Sequence, residues 1–311
     1  MALFVKKGRH TANNKKSAKS LFPVILIIVM VAALVVGGYF IVDKFILPIF
    51  DNNNTSAGTA EPTTIIHDPY LGTMTVPDVE GIEKNEYKNE NFVKDENGFM
   101  TYVENGEVKS TLGVDLSYIQ GDVDFDALKS QGIDFVILRI GGRGWGESGS
   151  LYSDDNFDSN YERAKAAGLK VGAYFYSQSI TPQEAKEEAQ YVVELLNDRS
   201  LEFPVAFDWE YVDEDPDART HNIEGEVISD MAVAFCEEIK SSGYLPMLYI
   251  NSSLIYQSYN LEKIKDYDFW HAEYSNQPSL YFDFAIWQYT KTGRVSGIDS
   301  DVDINICMKE Y

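Results

Sequence analysis

Cysteine and histidine are nearly missing from this chain. Two Cys and four His occur among 311 residues. Cys236 and Cys307 do not make a disulfide scaffold, and two separate buried thiols are expected. There is no CxxC and no zinc-like spacing. His67, His221 and His271 are scattered without an H-E-x-x-H, and no nucleophile elbow supports Ser/His/Asp chemistry. Positive charge is also scarce: 26 Lys and Arg stand against 49 Asp and Glu, a net charge of −23. Residues 1–50 hold Lys6, Lys7, Arg9, Lys15, Lys16, Lys19 and Lys44 against Asp43 alone, so this segment carries +6 and the rest −29. Phosphate recognition rests on Lys and Arg, so the acidic remainder is excluded as a nucleic-acid binder. No metal and no cofactor is expected.

Charge is absent from Leu21 to Val42, a run that suits a membrane helix of about 20 residues. Six cationic side chains precede it, which places the N-terminus in the cytoplasm. A cleaved signal peptide is the competing reading, but the run exceeds an h-region of roughly 7–15 residues and no A-x-A-like site follows closely. The expectation is a basic cytoplasmic tail (1–20), a single-pass anchor in the lipid bilayer (21–42), and an outward-facing remainder. Residues 43–91, with "DNNNTSAGTAEPTT", read as a spacer without sustained periodicity. In 92–111, "NG" between two short alternating runs signals a β-hairpin.

From residue 112 onward, eight strand-like runs appear: "LGVDLS", "DFVILRIG", "LKVGAYFYS", "FPVAFDWE", "YLPMLYIN", "DFWHAEY", "DFAIWQYT" and "DVDINIC". Helical patterns separate several of them, including "TPQEAKEEAQYVVELL", with Thr181 as cap and Pro182 in the first turn. The order implies an α/β fold with a parallel sheet over 112–311: a shortened, irregular (β/α) barrel of about eight strands and five to six helices. Reactive groups in such barrels gather at the C-terminal strand ends. Asp115, Arg139, Tyr176, Asp208, Glu210, Asn251, Glu273 and Gln288 all fall at or near such ends.

The stretch "PVAFDWEY" sharpens this pattern. Asp208 and Glu210, two apart in a strand, share a face about 7 Å apart. Three readings are open: a solvated or neutralised strand end, two carboxylates of a divalent-ion site, or a catalytic pair. In the catalytic reading, proximity and partial desolvation drive the two pKa values apart, as glycoside hydrolysis requires. Aromatics favour sugar as substrate. Twenty Tyr, seventeen Phe and four Trp occur, and Tyr174, Tyr176, Trp209, Tyr249, Trp270, Tyr274, Trp287 and Tyr289 lie near strand ends. Aromatic faces pack against the apolar faces of pyranose rings. Singly, each is more readily explained as core than as a ligand platform.

The segment from about residue 112 to 307 resembles glycoside hydrolase family 25, the Chalaropsis-type lysozymes or N-acetylmuramidases. "GVDLSYIQGDVDFDALKSQGIDFVILRIG" is similar to the family's first strand, D-x-S-x-x-Q-G turn, first helix and second strand. "AKAAGLKVGAYFYS", "PVAFDWE", "FWHAEY", "AIWQYTKTGRVSGI" and "VDIN" follow in the family's order. The resemblance implies Glu210 as general acid. It implies Asp208 as the transition-state charge or the group that orients the N-acetyl substituent, with Asp115 and Asp303 lining the same pocket. Tyr174, Trp270, Tyr274 and Trp287 match aromatic positions, and with Tyr176, Trp209, Tyr249 and Gln288 they complete the expected substrate-binding set. One departure stands out: many relatives have His where this chain has Phe175. The implied partner is peptidoglycan glycan. Alternatives are a non-catalytic wall-binding module, a scaffold in a cell-wall or secretion assembly, or another acetamido-sugar glycosidase. The chitinase-type D-x-x-D-x-D-x-E pattern is broken by Ala206. "DSDVDIN" lacks the glycine of a calcium loop, and "GGRGWGESGS" lacks the Lys-Ser/Thr of a phosphate loop and reads as a flexible rim over the cleft.

Overall fold

The computed structural model describes residues 62–212, 215–221 and 223–311. The basic tail and the apolar run at 21–42 lie outside the described residues. Among those described, no helix is long and apolar enough to cross a membrane.

The first finding departs from expectation. Part of the stretch read as a spacer is folded: β1 (Thr63–Asp68) and β2 (Gly72–Pro77) pair antiparallel. The turn is fixed by buried Asp68, whose Oδ1 accepts from the backbone N–H of Tyr70 and Leu71 at 2.8 Å. Its Oδ2 accepts from Ser252 of the barrel at 2.8 Å, and Val76 and Val79 are buried in the main core. The alternating Thr and Ile of "TTIIHD" carry the strand signal, but the Asn-, Thr- and Gly-rich residues before them obscure it. Next come β3 (Phe92–Lys94), β4 (Met100–Glu104) and β5 (Glu107–Val108). Asn105 and Gly106 turn β4 into β5 with φ of 54° and 81°, the left-handed pair that a two-residue hairpin demands.

The remaining chain supplies β6 (Thr111–Leu116), α1 (Phe125–Ser130), β7 (Phe135–Arg143), β8 (Leu151–Ser153), α2 (Phe157–Ala166), β9 (Lys170–Ser177) and α3 (Pro182–Leu196). Then follow β10 (Val205–Trp209), α4 (Gly225–Ser241), β11 (Pro246–Ile250), α5 (Leu261–Ile264), β12 (Asp268–Ala272), β13 (Ile286–Gly293) and β14 (Val302–Cys307). All eight expected strands are present. They close in the order β6-β14-β13-β12-β11-β10-β9-β7, with β7 pairing back to β6. As expected, Thr181 caps α3 by accepting from the Glu184 N–H at 3.2 Å.

The barrel is mixed rather than wholly parallel. Strand β14 runs antiparallel to both neighbours, β13 and β6. Only residues 294–301 separate β13 from β14, too few for the crossover a parallel return needs, so the chain doubles back. This reversal brings the start of β14 to the end of the barrel where β6 finishes.

Alternation along each strand divides the core in two. Outward side chains such as Phe175, Phe207 and Trp209 pack in the larger layer beneath the helices, with Phe235 of α4. Inward side chains, among them Phe135, Ile137, Ala206, Met247 and Trp270, fill the barrel. Phe135 stacks on Phe203 with centroids 4.3 Å apart, and the Tyr311 ring lies 5.3 Å from Phe203. Gly113 makes room for this plug, since a Cβ there would stand 2.3 Å from the Phe135 ring. Both thiols are buried and unpaired, Cys236 on α4 and Cys307 on β14. Gly113→Ala is expected to cost about 1–3 kcal/mol through overpacking, read as a lower urea midpoint. An unchanged midpoint would contradict the assignment.

Candidate active site

One end of this plugged barrel holds the carboxylates. Register places Asp115 of β6 directly opposite Asp303 of β14. Asp208, on β10, lies beside Tyr176 of β9, and Glu210 follows two residues later, just past the strand end. All four carboxyl groups line one cavity of about 420 Å³, together with Tyr174, Tyr176, Tyr249, Trp270, Tyr274 and Gln288.

The end of β10 is held from outside the cavity. Gln178, fully buried, donates to the Glu210 carbonyl at 2.9 Å and accepts from Thr220 at 3.1 Å. Trp209 donates from Nε1 to the Ser179 carbonyl at 2.9 Å. Beneath them Glu188 of α3 is buried. It accepts from Arg143 Nε and Ser177 Oγ, each at 2.6 Å, and burial lifts its pKa to about 7. A buried charge is tolerated only with such partners, and this one ties α3 to the ends of β7 and β9.

Inside the cavity, burial is the largest influence on the carboxyl groups. It raises the Asp115 carboxyl well above the ordinary range, and the neighbouring Asp303 charge raises it further. Two donors to Asp115 Oδ2, Asn305 Nδ2 at 2.8 Å and Gln288 Nε2 at 2.9 Å, pull the other way without cancelling the shift. Asp303 is also raised by burial, against the lowering influences of its hydrogen bond with Asp115 and of Lys291. Asp208 is raised well above its usual range, first by burial, then by the charge of Glu210 and a hydrogen bond with it. Its Oδ1 is buried without a hydrogen-bond partner. In each of the two carboxyl pairs, burial and the neighbouring acid thus favour the protonated form.

The aromatics do more than line a wall. Tyr249 and Tyr274 both donate to Gln288 Oε1, at 3.1 and 3.0 Å. That fixes the Gln288 amide so that its nitrogen points at Asp115. Trp270 Nε1 donates to Asn305 Oδ1 at 2.8 Å and orients the second donor in the same way.

Two expected binding residues lie elsewhere. Trp209 and Trp287 are wholly buried on outward faces of their strands. Trp209 packs on Tyr211 with centroids 4.8 Å apart, and Trp287 on Phe92 at 5.2 Å. In β10, where Asp208 points inward, the alternation of the pleat sends Trp209 outward. Phe175 faces outward too, packed against Tyr191 and Phe235, so the departure from the family pattern there does not reach the cavity. Asn251 caps the following turn by accepting from the Leu254 N–H at 3.0 Å. Glu273 is buried against His271 Nε2 at 3.0 Å and takes the Ser279 N–H at 2.7 Å. Burial alone would raise its pKa, but these donors outweigh it and hold it low.

The cavity also includes residues outside the expected set: Ile119, Gln120, Arg139, Lys291 and Asp301. Gln120 belongs to the D-x-S-x-x-Q-G turn, where its Oε1 takes the Ser117 N–H at 2.8 Å. Arg139 was legible as a polar strand end. It donates from Nε to Asp154 at 2.8 Å and lies over the Tyr118 ring at 4.8 Å. The cavity continues into a depression of about 630 Å³ that shares Ile119, Arg139 and Tyr176 and adds Tyr118, Trp145 and Tyr152. Their exposed rings form an apolar rim. The glycine-rich loop carrying Trp145 is tied down: Arg143 Nη1 donates to the Gly149 carbonyl at 2.7 Å, and the Arg219 N–H to the Trp145 carbonyl at 3.0 Å. Among the described residues, no group of three or more His, Cys, Asp or Glu is placed to hold a metal ion.

Residues 114–298, more than half of the chain, match the model of the glycosyl hydrolases family 25. The chain belongs to that family. An autolytic lysozyme of Clostridium acetobutylicum is 27% identical over 194 residues, covering 62% of this chain and 54% of that protein. The chain therefore spans about half of that relative's length. Lysozyme M1 of Streptomyces globisporus is 25% identical over 220 residues, covering 64% of this chain and 68% of that protein. Among solved structures, the spore cortex lytic enzyme SleM of Clostridium perfringens shares the fold with a TM-score of 0.56 at 22% identity, covering 66% of this chain and 69% of that one. The family match takes in Asp115, Asp208 and Glu210 and stops short of Asp303, which the fold itself returns to the site.

The raised Asp115 pKa makes a stability prediction. The wild type gains from a folded-state proton only while the unfolded aspartate also holds one, so this contribution is lost as pH rises past about 4. An Asn side chain matches the protonated carboxyl and never ionises. Asp115→Asn is therefore expected to be more stable than wild type by a margin that widens from pH 4 to 7 in urea unfolding. A margin constant with pH would contradict the buried-proton assignment.

Proposed function

We propose that the protein hydrolyses the β-1,4 bond between N-acetylmuramic acid and N-acetylglucosamine in peptidoglycan, with Glu210 as general acid. The observation that carries this reading is the half-buried Glu210 carboxyl beside the deeply buried Asp208, whose pKa burial and the Glu210 charge raise, in a cavity that opens onto an aromatic rim. Family membership and the lysozymes among the relatives support it.

The chemistry follows from the pairing. In the free enzyme Asp208 shares its proton with Glu210. A bound 2-acetamido group offers an N–H to the unpartnered Asp208 Oδ1, which favours ionised Asp208 and leaves the proton on Glu210. Glu210 then protonates the leaving oxygen while the acetamide carbonyl oxygen closes on the anomeric carbon, and Asp208 balances the charge on the acetamide nitrogen. Water completes the reaction with Glu210 as base, so the configuration is retained. Asp115 and Asp303, linked by their own proton, hold the cavity floor with Gln288 and Asn305. The exposed rings of Tyr118, Trp145 and Tyr152 extend the sugar-binding surface along the glycan.

This reading includes location. Leu21–Val42 would anchor the chain in the bilayer with the catalytic domain outside, where its substrate is. The acidic domain would be repelled by anionic wall polymers, so binding would depend on sugar contacts and tethering.

The test is digestion of purified peptidoglycan by the full chain and by its Glu210→Gln variant, followed by identification of new reducing ends. Reducing-end muramic acid with the wild type, and a loss of at least about 10²-fold with the variant, are expected. Reducing-end glucosamine, or no cleavage, would overturn the assignment, and an inverted anomer in early product would overturn the acetamide-assisted route.

A further inference from the structure

A different cleft adjoins the catalytic cavity at Tyr274, with a volume of about 460 Å³. One wall is the turn between β3 and β4, with Lys94 and Asn97. The other comes from Ser275 and Asn276, which follow Tyr274 after β12, and from Arg294, which follows β13. The turn wall lies before residue 114, outside the family match.

That wall is built, not loose. Asp95 Oδ1 accepts from the backbone N–H of Asn97 and of Phe99, each at 2.8 Å. Gly98 takes the left-handed conformation that closes the turn, with φ of 85°. The Met100 N–H donates to Tyr289 Oη at 3.3 Å and seats β4 against β13.

The cleft's charge is opposite to that of the chain. The whole sequence has 49 acidic against 26 basic side chains, yet the charged groups lining this cleft are Lys94 and Arg294. A third cation, Lys291, stands 5.2 Å from the Tyr274 ring on the side of the catalytic cavity. Arg294 spends part of its charge on Asp301, at 2.7 Å, whereas exposed Lys94 has no ion-pair partner among the described residues. Apart from Tyr274, the aromatic side chains here, Phe99 and Tyr289, are buried. The cleft therefore offers two cations and several amide and hydroxyl groups, not a stacking surface for another sugar.

We propose that this cleft binds a carboxylate-bearing peptide attached to the sugar in the catalytic cavity, the stem peptide of peptidoglycan. Lys94 and Arg294 pair with its carboxylates, and Asn97, Ser275 and Asn276 hydrogen-bond its amides. The shared Tyr274 wall is what lets a substituent on the bound sugar reach the cleft. The proposal rests on the muramidase reading. It also makes the β3–β5 segment a specificity element for peptide-bearing glycan.

Binding, not cleavage, tests it. The full chain carrying Glu210→Gln is titrated calorimetrically with a muramyl glycan fragment bearing a stem peptide, with the same fragment stripped of peptide, and with a glycerol-phosphate polymer. The expected result is affinity about tenfold tighter for the peptide-bearing fragment, an advantage erased by adding Lys94→Glu and kept with Lys94→Arg. Equal affinity for the two fragments, or an advantage that survives Lys94→Glu, overturns the proposal. So does Lys94-dependent binding of the phosphate polymer without a peptide preference. A peptide preference accompanied by no hydrolysis in the wild type would leave the cleft assignment standing and sink the muramidase reading alone.

Discussion

Asp115 and Asp303 meet because the last barrel strand runs against both of its neighbours, and the hydrogen bond between their side chains sets the terms for the whole cavity. Carboxylates packed into a space of about 420 Å³ would repel one another strongly in a medium less polarisable than water. The structure answers with protons and donors. Burial and the adjacent acid raise the pKa of Asp115 beside Asp303 and of Asp208 beside Glu210, and the Gln288 and Asn305 amides face Asp115 Oδ2. Tyr249, Tyr274 and Trp270 are then best understood as orienting groups. Each fixes the amide that fixes the acid, so losing one would loosen a carboxyl it does not touch.

Much of this was legible in the sequence. Each strand run of the barrel was marked by apolar periodicity, and the i, i+2 spacing of Asp208 and Glu210 gave their common face without a structure. That Asp115 and Asp303 share the same pocket was implied only by the resemblance to the family. What was lost was lost to pairing and parity. Periodicity marks a strand but not its direction, so antiparallel β14 could not be read from "DVDINIC". Trp209 and Trp287 look like platform residues by composition. The pleat turns both outward, where Trp209 instead pins the end of the strand that carries the acids. The Gly-rich loop looked free by composition, but its anchors, Arg143 and Arg219, come from the end of β7 and from a distant segment.

The segments before the barrel show the same limit from another side. Residues 62–91 look like a spacer because short polar residues dominate, yet one buried carboxylate, Asp68, is enough to organise a turn and fasten it to Ser252. The β3–β5 segment, legible from its Asn-Gly turn, gains meaning only from where it docks: against β13, beside the mouth of the site. The β3–β4 turn borders the cleft that shares Tyr274 with the catalytic cavity.

The account depends on protons held between buried acids, and the most direct test is a carbon-13 NMR titration of the aspartate carboxyl groups in the full chain, assigned with single Asp→Asn variants. The account predicts that Asp115 and Asp208 titrate clearly above the usual value of about 3.9, with Asp303 responding to Asp115→Asn. Ordinary titration of both, each indifferent to loss of its neighbour, would contradict it.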